Sequence, residues 1–482
     1  MILALSIIGL VGTAGLGVDY YNALAAKSRL DLASDAAALA AINAAQAYVA
    51  ANSSTQSGTT LTNGAIAAGQ AQGLKVFNSN AGSVATRTAS TPTITVSNSG
   101  QTYNATVTYQ GASKNSFGPI FGVQQTNLKG SSSSSLTMGK YLNFYLLLDV
   151  SGSMGLPATT AGQTQLMAIS PDMNNVYPGG CQFACHFATP QCTTNASPNN
   201  PVQCQGYSLA QANGIVLRAA AVGTAVQDLL TTAQKTMTIT NQYQVGLYPF
   251  INQMGTLFAI SSNLTNAQTC AGFLGAFLDT GQSPPPAPTS PAGWPGPCTL
   301  PWSPSPTPPY DNGGTQFENV LPEMNAIIPP AGGVLPVGNG SAASTPQPFV
   351  FLVTDGMEDI QYYNANYNPS NPWGGPSSCP DGQSDTATQC VLAMNPSPCT
   401  TLKNRGITIS VLYIPYQPIA DPNSSFSDNE DGKVNNAIPN LPTELESCAS
   451  PGFYFSAYTP QAITNAMQAM FQQAVAAARL TQ

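Results

Sequence analysis

The stretch Tyr141 to Asp149, YLNFYLLLD, is apolar almost without a break and ends in an acid. A strand buried on both faces reads this way, because no alternate position is left for water. Leu209, Ala212, Val216, Ala219, Val222, Val226, Leu230 and Ala233 then recur at steps of three and four, the mark of an amphipathic helix. Tyr243 to Ile251 and Leu257 to Ile260 read as further strands. Phe317, Val320, Leu321, Met324 and Ile328 trace a second helix, which Pro322 is expected to kink. Phe349 to Thr354 and Ile407 to Ile414 are β-branched strands, and Phe453 to Ala457 is a short last one. Ile463, Met467, Met470, Ala474 and Ala477 close the chain as a helix. Apolar strands alternating with helices imply an α/β fold: a doubly wound, mostly parallel sheet covered on both faces, here over residues 139–482.

Three long segments interrupt that alternation, at about 155–206, 264–312 and 360–403. Connections of this length are uncommon in compact domains and point to insertions. The second is rich in proline around Trp294 and Trp302. It reads as an extended spacer, or alternatively as a polyproline recognition surface. The cysteines cluster in these irregular segments: Cys181, Cys185, Cys192 and Cys204; Cys270 and Cys298; Cys379, Cys390 and Cys399; then Cys448. Ten cysteines in such sequence predict disulfides and an oxidising compartment. With His186, the cluster at 181–204 has a structural zinc site as its alternative.

Ahead of the α/β region, Ile2 to Val18 is uncharged and apolar, and 20–50 continues without Gly or Pro as an alanine-rich helix. Residues 1–50 therefore read as a single-pass anchor with a helical extension. Lys27 and Arg29 follow the apolar stretch, which taken literally would place the body in the cytoplasm. The cysteines argue the reverse and suggest that a basic stretch precedes this sequence. Residues 51–138 alternate polar and apolar positions in TPTITVSNSG and QTYNATVTYQ, predicting a small β-containing domain, with Ser131 to Ser135 as a linker. Only 7% of residues are charged, against about 25% in ordinary soluble domains. With 13 Lys and Arg and a net charge of −8, nucleic acid is excluded as a partner, since binding it takes clustered cations.

The chemistry concentrates at strand ends. Asp149-Val-Ser151-Gly-Ser153 begins where the first apolar strand stops, and Val353-Thr354-Asp355-Gly356 ends another. Asp311-Asn-Gly-Gly-Thr315 opens a helix between them. In open α/β sheets ligands bind at the carboxyl ends of strands. Two carboxylates and three hydroxyls make a hard oxygen donor set suited to Mg²⁺, Mn²⁺ or Ca²⁺. Separately the motifs have plainer readings. The serines suit turns, Asp355-Gly356 suits a turn, and Thr315 with Glu318 spells a capping box.

DVSGS at 149–153, GGT at 313–315 and VTDG at 353–356 together resemble the metal-ion-dependent adhesion site of von Willebrand factor A-type domains. The resemblance implies that Asp149, Ser151, Ser153, Thr315 and Asp355 hold the ion, with an acidic residue of a protein partner completing its sphere. The three insertions depart from a minimal domain of that kind. The apolar start running into GVDYYNALAAKSRLDLASDAAALAA is similar to TadE/TadG-like proteins of Flp (tight-adherence) pilus assembly. That resemblance implies a bacterial inner-membrane anchor with a periplasmic or surface-reaching body. The expected role is a metal-dependent binding module in pilus assembly, tethering or attachment, with a directly adhesive surface protein as the alternative. A metal-dependent hydrolase is the more distant one. The chain holds a single His and no Walker-type loop, so no enzymatic activity is expected.

Overall fold

One 51-residue helix, α1, runs from Ile2 to Asn52. The structure, a computed structural model, describes the chain except for residues 1, 54, 57, 83–87, 170–209, 277–295, 300–314, 331–335, 361, 364–372, 375–389, 419–429 and 481–482. The chain divides into two compact units. The N-terminal unit is Met1–Lys140 with Thr238–Gln242 and Ser341–Ser344; the C-terminal unit is Tyr141–Met237, Tyr243–Gly340 and Thr345–Gln482.

In the N-terminal unit a second helix, α2 (Gly58–Ala81), packs along α1. Its buried positions are Ala65, Gly69, Gly73, Phe77 and Ala81, one every fourth residue. A Cβ on Gly69 would stand 2.8 Å from the Ala41 carbonyl oxygen, so the helices approach more closely than a side chain at that position allows. These glycines are a contact stripe, and the helix is not among the elements expected for residues 51–138. Strands β1 (Thr88–Ser99), β2 (Thr102–Lys114) and β3 (Gln125–Thr137) form an antiparallel sheet in that order. Val107 and Tyr109 of β2 bury against Leu30 and Phe77. The serine run expected to be a linker is strand: Ser131 to Ser135 pair with Thr108 to Asn104. Small hydroxyls suit an edge strand, where Ser133 and Thr106 lie 3.1 Å apart across the ladder.

Among the described residues no helix is long and apolar enough to cross a membrane. The expected single-pass inner-membrane anchor is therefore corrected. Part of the apolar stretch has protein to pack on. Positions Gly12 and Gly15 face the rings of Phe121 and Phe117. At its end the buried Asp19 accepts backbone N–H groups from Ser116, Phe117 and Gly118 at 2.7, 2.8 and 2.7 Å.

The C-terminal unit is a six-stranded mixed sheet with helices. The apolar run is strand β4 (Leu142–Asp149), followed by a helix α3 (Thr160–Ile169) and then α4 (Arg218–Thr236). The amphipathic pattern beginning at Leu209 is helical at 210–212, breaks where Gly214 takes a positive φ of 69° and Leu217 bridges to Pro157, and resumes as α4 at Arg218. Then come β5 (Tyr243–Phe250), β6 (Phe258–Ser261), α5 (Leu264–Ala271), α6 (Phe317–Ile327, with Pro322 inside it) and β7 (Gln347–Thr354). A small antiparallel ladder joins β8 (Met357–Ile360) to β9 (Cys390–Ala393). The chain closes with α7 (Ser397–Asn404), β10 (Thr408–Tyr413), α8 (Leu441–Cys448), β11 (Tyr454–Ser456) and α9 (Pro460–Leu480).

Strand order is β11-β10-β7-β4-β5-β6, parallel throughout except for the antiparallel edge strand β6. Alternate residues of β4 serve different cores. Phe144, Leu146 and Leu148 pack with α4, α5 and α9, while Tyr145 and Leu147 pack with α6, α7 and α8. The disulfide Cys270–Cys298 fastens α5, and Cys399–Cys448 joins α7 to α8. Cys181, Cys185, Cys192, Cys204, Cys379, His186, Trp294 and Trp302 lie outside the described residues.

Candidate metal centre at the strand ends

Strands β4 and β7 are parallel neighbours in register, with Leu148 beside Val353. Their carboxyl ends therefore deliver Asp149 and the Thr354-Asp355 pair to one rim of the sheet. Asp149 folds its own loop back. Its Oδ1 accepts the backbone N–H of Ser151 at 2.9 Å and the Ser151 hydroxyl at 2.6 Å, the local bonding that makes Asp a turn residue. Its Oδ2 accepts the Thr354 hydroxyl at 2.6 Å, and that oxygen in turn accepts Gly356 N–H at 2.9 Å. Ser151 and Ser153 hydroxyl oxygens lie 3.1 Å apart, and the Ser153 hydroxyl reaches the Asp355 carboxylate. Asp149, Ser151, Ser153 and Asp355 thus form one connected cluster.

Both carboxylates are buried, with relative exposures of 1% and 0%. Burial pushes Asp149 up to about 7, the charge of Asp355 adding to it and the bonds from Ser151 and Thr354 opposing. Asp355 is also raised by burial, with Arg218 opposing. Arg218 Nη1 lies 3.3 Å from Asp355 Oδ2, its Nη2 donates to the Pro415 carbonyl at 2.9 Å, and the guanidinium sits 5.2 Å from the Tyr416 ring centroid. Arg218 thus faces one of the two buried acids, and the cluster is negative when both are ionised.

Thr315 is buried but is not drawn into the cluster. Its N–H and carbonyl pair with the backbone of Asp359, at 2.9 and 3.0 Å. The next residue, Gln316, donates to the carbonyl of Ile251, just past the end of β5. Thr315 thus sits close to the end of β5, the neighbour of β4, yet its hydroxyl makes no hydrogen bond to the other four residues. The capping box read from Thr315 and Glu318 does not form: the N-cap of α6 is Gln316, and no side chain caps it. Asp311 to Gly314 lie outside the described residues.

Among the described residues no group of three or more His, Cys, Asp and Glu converges. The donors are two carboxylates with serine and threonine hydroxyls, all hard oxygens, and buried negative charge is in excess. That set fits a hard divalent ion and does not fit a thiolate-seeking one.

Two members of the centre were not read from the sequence. Thr354 stood in the motif, one residue before the acid, and its bond to Asp149 spans 205 residues. Arg218 carried a fainter signal, a charged residue among the apolar positions of a helix start in a chain poor in cations. Behind the centre, Gly356 has φ +77°, and a Cβ there would stand 2.6 Å from Leu445 Cδ1 on α8. The turn carrying Asp355 rests directly on that helix.

No family model and no curated protein sequence matches the chain. Among solved structures it is similar to the vWF domain of the type V pili tip protein Mfa5 from Porphyromonas gingivalis. Identity there is 11% over 71% of this chain and 97% of that one, with a TM-score of 0.31. The PilB minor pilin from Streptococcus sanguinis gives 10% identity over 80% of this chain and 78% of its own, with a TM-score of 0.32. The pilus adhesin SpaC from Lactobacillus rhamnosus GG gives 13%, 80% and 34%, with a TM-score of 0.32. Likeness this distant says nothing of chemistry, which rests on the side chains described above.

Proposed function

We propose that the C-terminal unit is a divalent-metal-dependent protein-binding module of the von Willebrand factor A kind. Asp149, Ser151, Ser153 and Asp355 would hold the ion, with Thr315 recruited to it. One observation carries this reading: two acids from separate strand ends are buried together and linked through serine hydroxyls, and Arg218 contacts only the second of them. Burying such a pair costs free energy that folding alone gives no reason to spend. A bound Mg²⁺, Mn²⁺ or Ca²⁺ would supply the missing positive charge and an open position for an acidic residue of a partner protein. We assign the cluster a binding rather than a catalytic role. The sequence resemblance to TadG-like proteins, beside neighbours described as pilus proteins, favours pilus assembly or attachment as the setting, and the partner is then a pilus component or an attachment target.

Calorimetric titration of the full chain with Mn²⁺ tests the core of this reading. Wild type is expected to bind one ion, and Asp149→Asn and Asp355→Asn to lose it while keeping the wild-type circular dichroism spectrum. Unchanged affinity in both variants would overturn the assignment.

A further inference from the structure

Arg218 is the first residue of α4, and that is the wrong end of a helix for a cation, since the N-terminus already carries partial positive charge. It does no capping there: the N-cap is Leu217, which makes no side-chain cap bond. A buried charge in an unfavourable place needs another account. Its backbone N–H donates 2.9 Å to the Leu156 carbonyl, just beyond Ser153, and its guanidinium reaches Asp355. One residue therefore braces both halves of the centre. The contact with Asp355 is a single prong at 3.3 Å, longer than the roughly 2.7–2.9 Å of a strong charge-assisted bond. The rest of the guanidinium is held elsewhere, by the Pro415 carbonyl and the face of Tyr416. Those holds do not depend on Asp355, so the acid can turn to another cation without casting the arginine loose.

We propose that Arg218 is a built-in counter-cation for this centre: it steadies Asp355 in the metal-free protein and, by occupying that charge, weakens the hold on an incoming divalent ion. The proposal rests on the metal-binding reading above for its second half only. In metal-free protein Arg218 is, among the described residues, the cation that contacts Asp355, while Asp149 is held by hydroxyls and a backbone N–H. Once an ion is present Arg218 becomes a like charge nearby, and like charges at this range repel strongly where water is excluded.

The test is Arg218→Met, which keeps the bulk and removes the charge, compared with wild type in EDTA and in Mn²⁺. In EDTA the variant is expected to melt well below wild type. In saturating Mn²⁺ most of that gap should close, and the Mn²⁺ dissociation constant should fall roughly tenfold or more. Arg218→Lys, which keeps the charge, should bind Mn²⁺ within about twofold of wild type. If Arg218→Met is too unstable in EDTA to purify, the lysine variant still decides, because markedly tighter binding by it would overturn the proposal. Equal melting of Arg218→Met and wild type in EDTA, or equal affinity for Mn²⁺, would do so too. A double-mutant cycle between Arg218→Met and Asp355→Asn in EDTA separates the two readings. Coupling there, with no Mn²⁺ binding by any variant, supports the counter-cation and sinks the metal centre; absence of coupling sinks the counter-cation whatever the metal does.

Discussion

In the N-terminal unit Lys27 and Asp31 sit one turn apart on α1, 2.7 Å between charged atoms, with side-chain exposures of 43% and 42%. In the C-terminal unit Arg218 and Asp355 are brought together across 137 residues, at 3.3 Å and almost wholly buried. The first pair is shorter, yet water screens it and it contributes about 0.3–0.5 kcal/mol. The second displaced its water, so its charges act on each other unscreened. The surroundings differ in the same sense. Beside the first lie the hydroxyl of Tyr109, which donates to Asp31 at 2.6 Å, and a small core of alanines with Leu30 and Phe77. Around the second lies a sheet whose Phe144 meets the rings of Tyr243, Phe349, Phe351 and Phe471. A molecule that keeps its costly charges in its best-packed region keeps them for something other than stability.

The contrast breaks or sharpens by mutation. Its largest expected effect is Asp355→Ala, which leaves Arg218 buried without its acid; urea denaturation in EDTA should show a loss of about 3–5 kcal/mol. A loss no greater than that of an exposed pair would end the comparison.

Lone acids extend it. Asp19 of the N-terminal unit is raised by burial, but the amides of Ser116, Gly118 and Phe117 more than offset this and leave it lowered. Glu358 of β8 is fully buried, and burial, with Glu318 adding to it and the backbone of Phe317 and Asn395 opposing, pushes it up to about 10. Because the folded value lies above the unfolded one, the folded protein keeps a proton that the unfolded chain releases above its value of 4.5. Stability is thus undiminished below that point and falls as pH climbs toward the folded value. Between about pH 6 and about pH 8 the fall should be roughly 3 kcal/mol. Glu358→Gln should make it shallower, the raised Asp149 keeping its own share up to about pH 7, as read from denaturation midpoints at the two pH values; an equal slope in the variant would show that Glu358 is not its source.

Gly69→Val comes next. It drives a branched side chain into the Ala41 carbonyl and should cost about 1–3 kcal/mol, with hydrogen exchange quickening in α1 and α2 but not in β4. Lys27→Ala is the smallest: a thermal melt should move by less than the equivalent of about 0.5 kcal/mol.

What could be read from the chain follows the range of the forces involved. Apolar runs and their acidic ends are local, so β4, β5, β7 and β10 and both acids stand close to where the pattern placed them. The bond from Thr354 to Asp149 and the reach of Arg218 to Asp355 depend on strand order, which no local pattern carries. The N-terminal unit misled for a different reason. Serine in an edge strand looks like a spacer, and the contact of Gly12 and Gly15 with the rings of Phe121 and Phe117 joins positions far apart in the sequence.

One consequence concerns how the protein is handled. The turn behind Asp355 leans on Leu445, and Leu445 belongs to the helix that Cys448 ties to Cys399. A reductant in the buffer would cut that tie from a distance, letting the prop drift and the acid with it. A preparation kept in thiol throughout purification should therefore take up Mn²⁺ more weakly than one kept oxidised, even with every donor oxygen still in the chain.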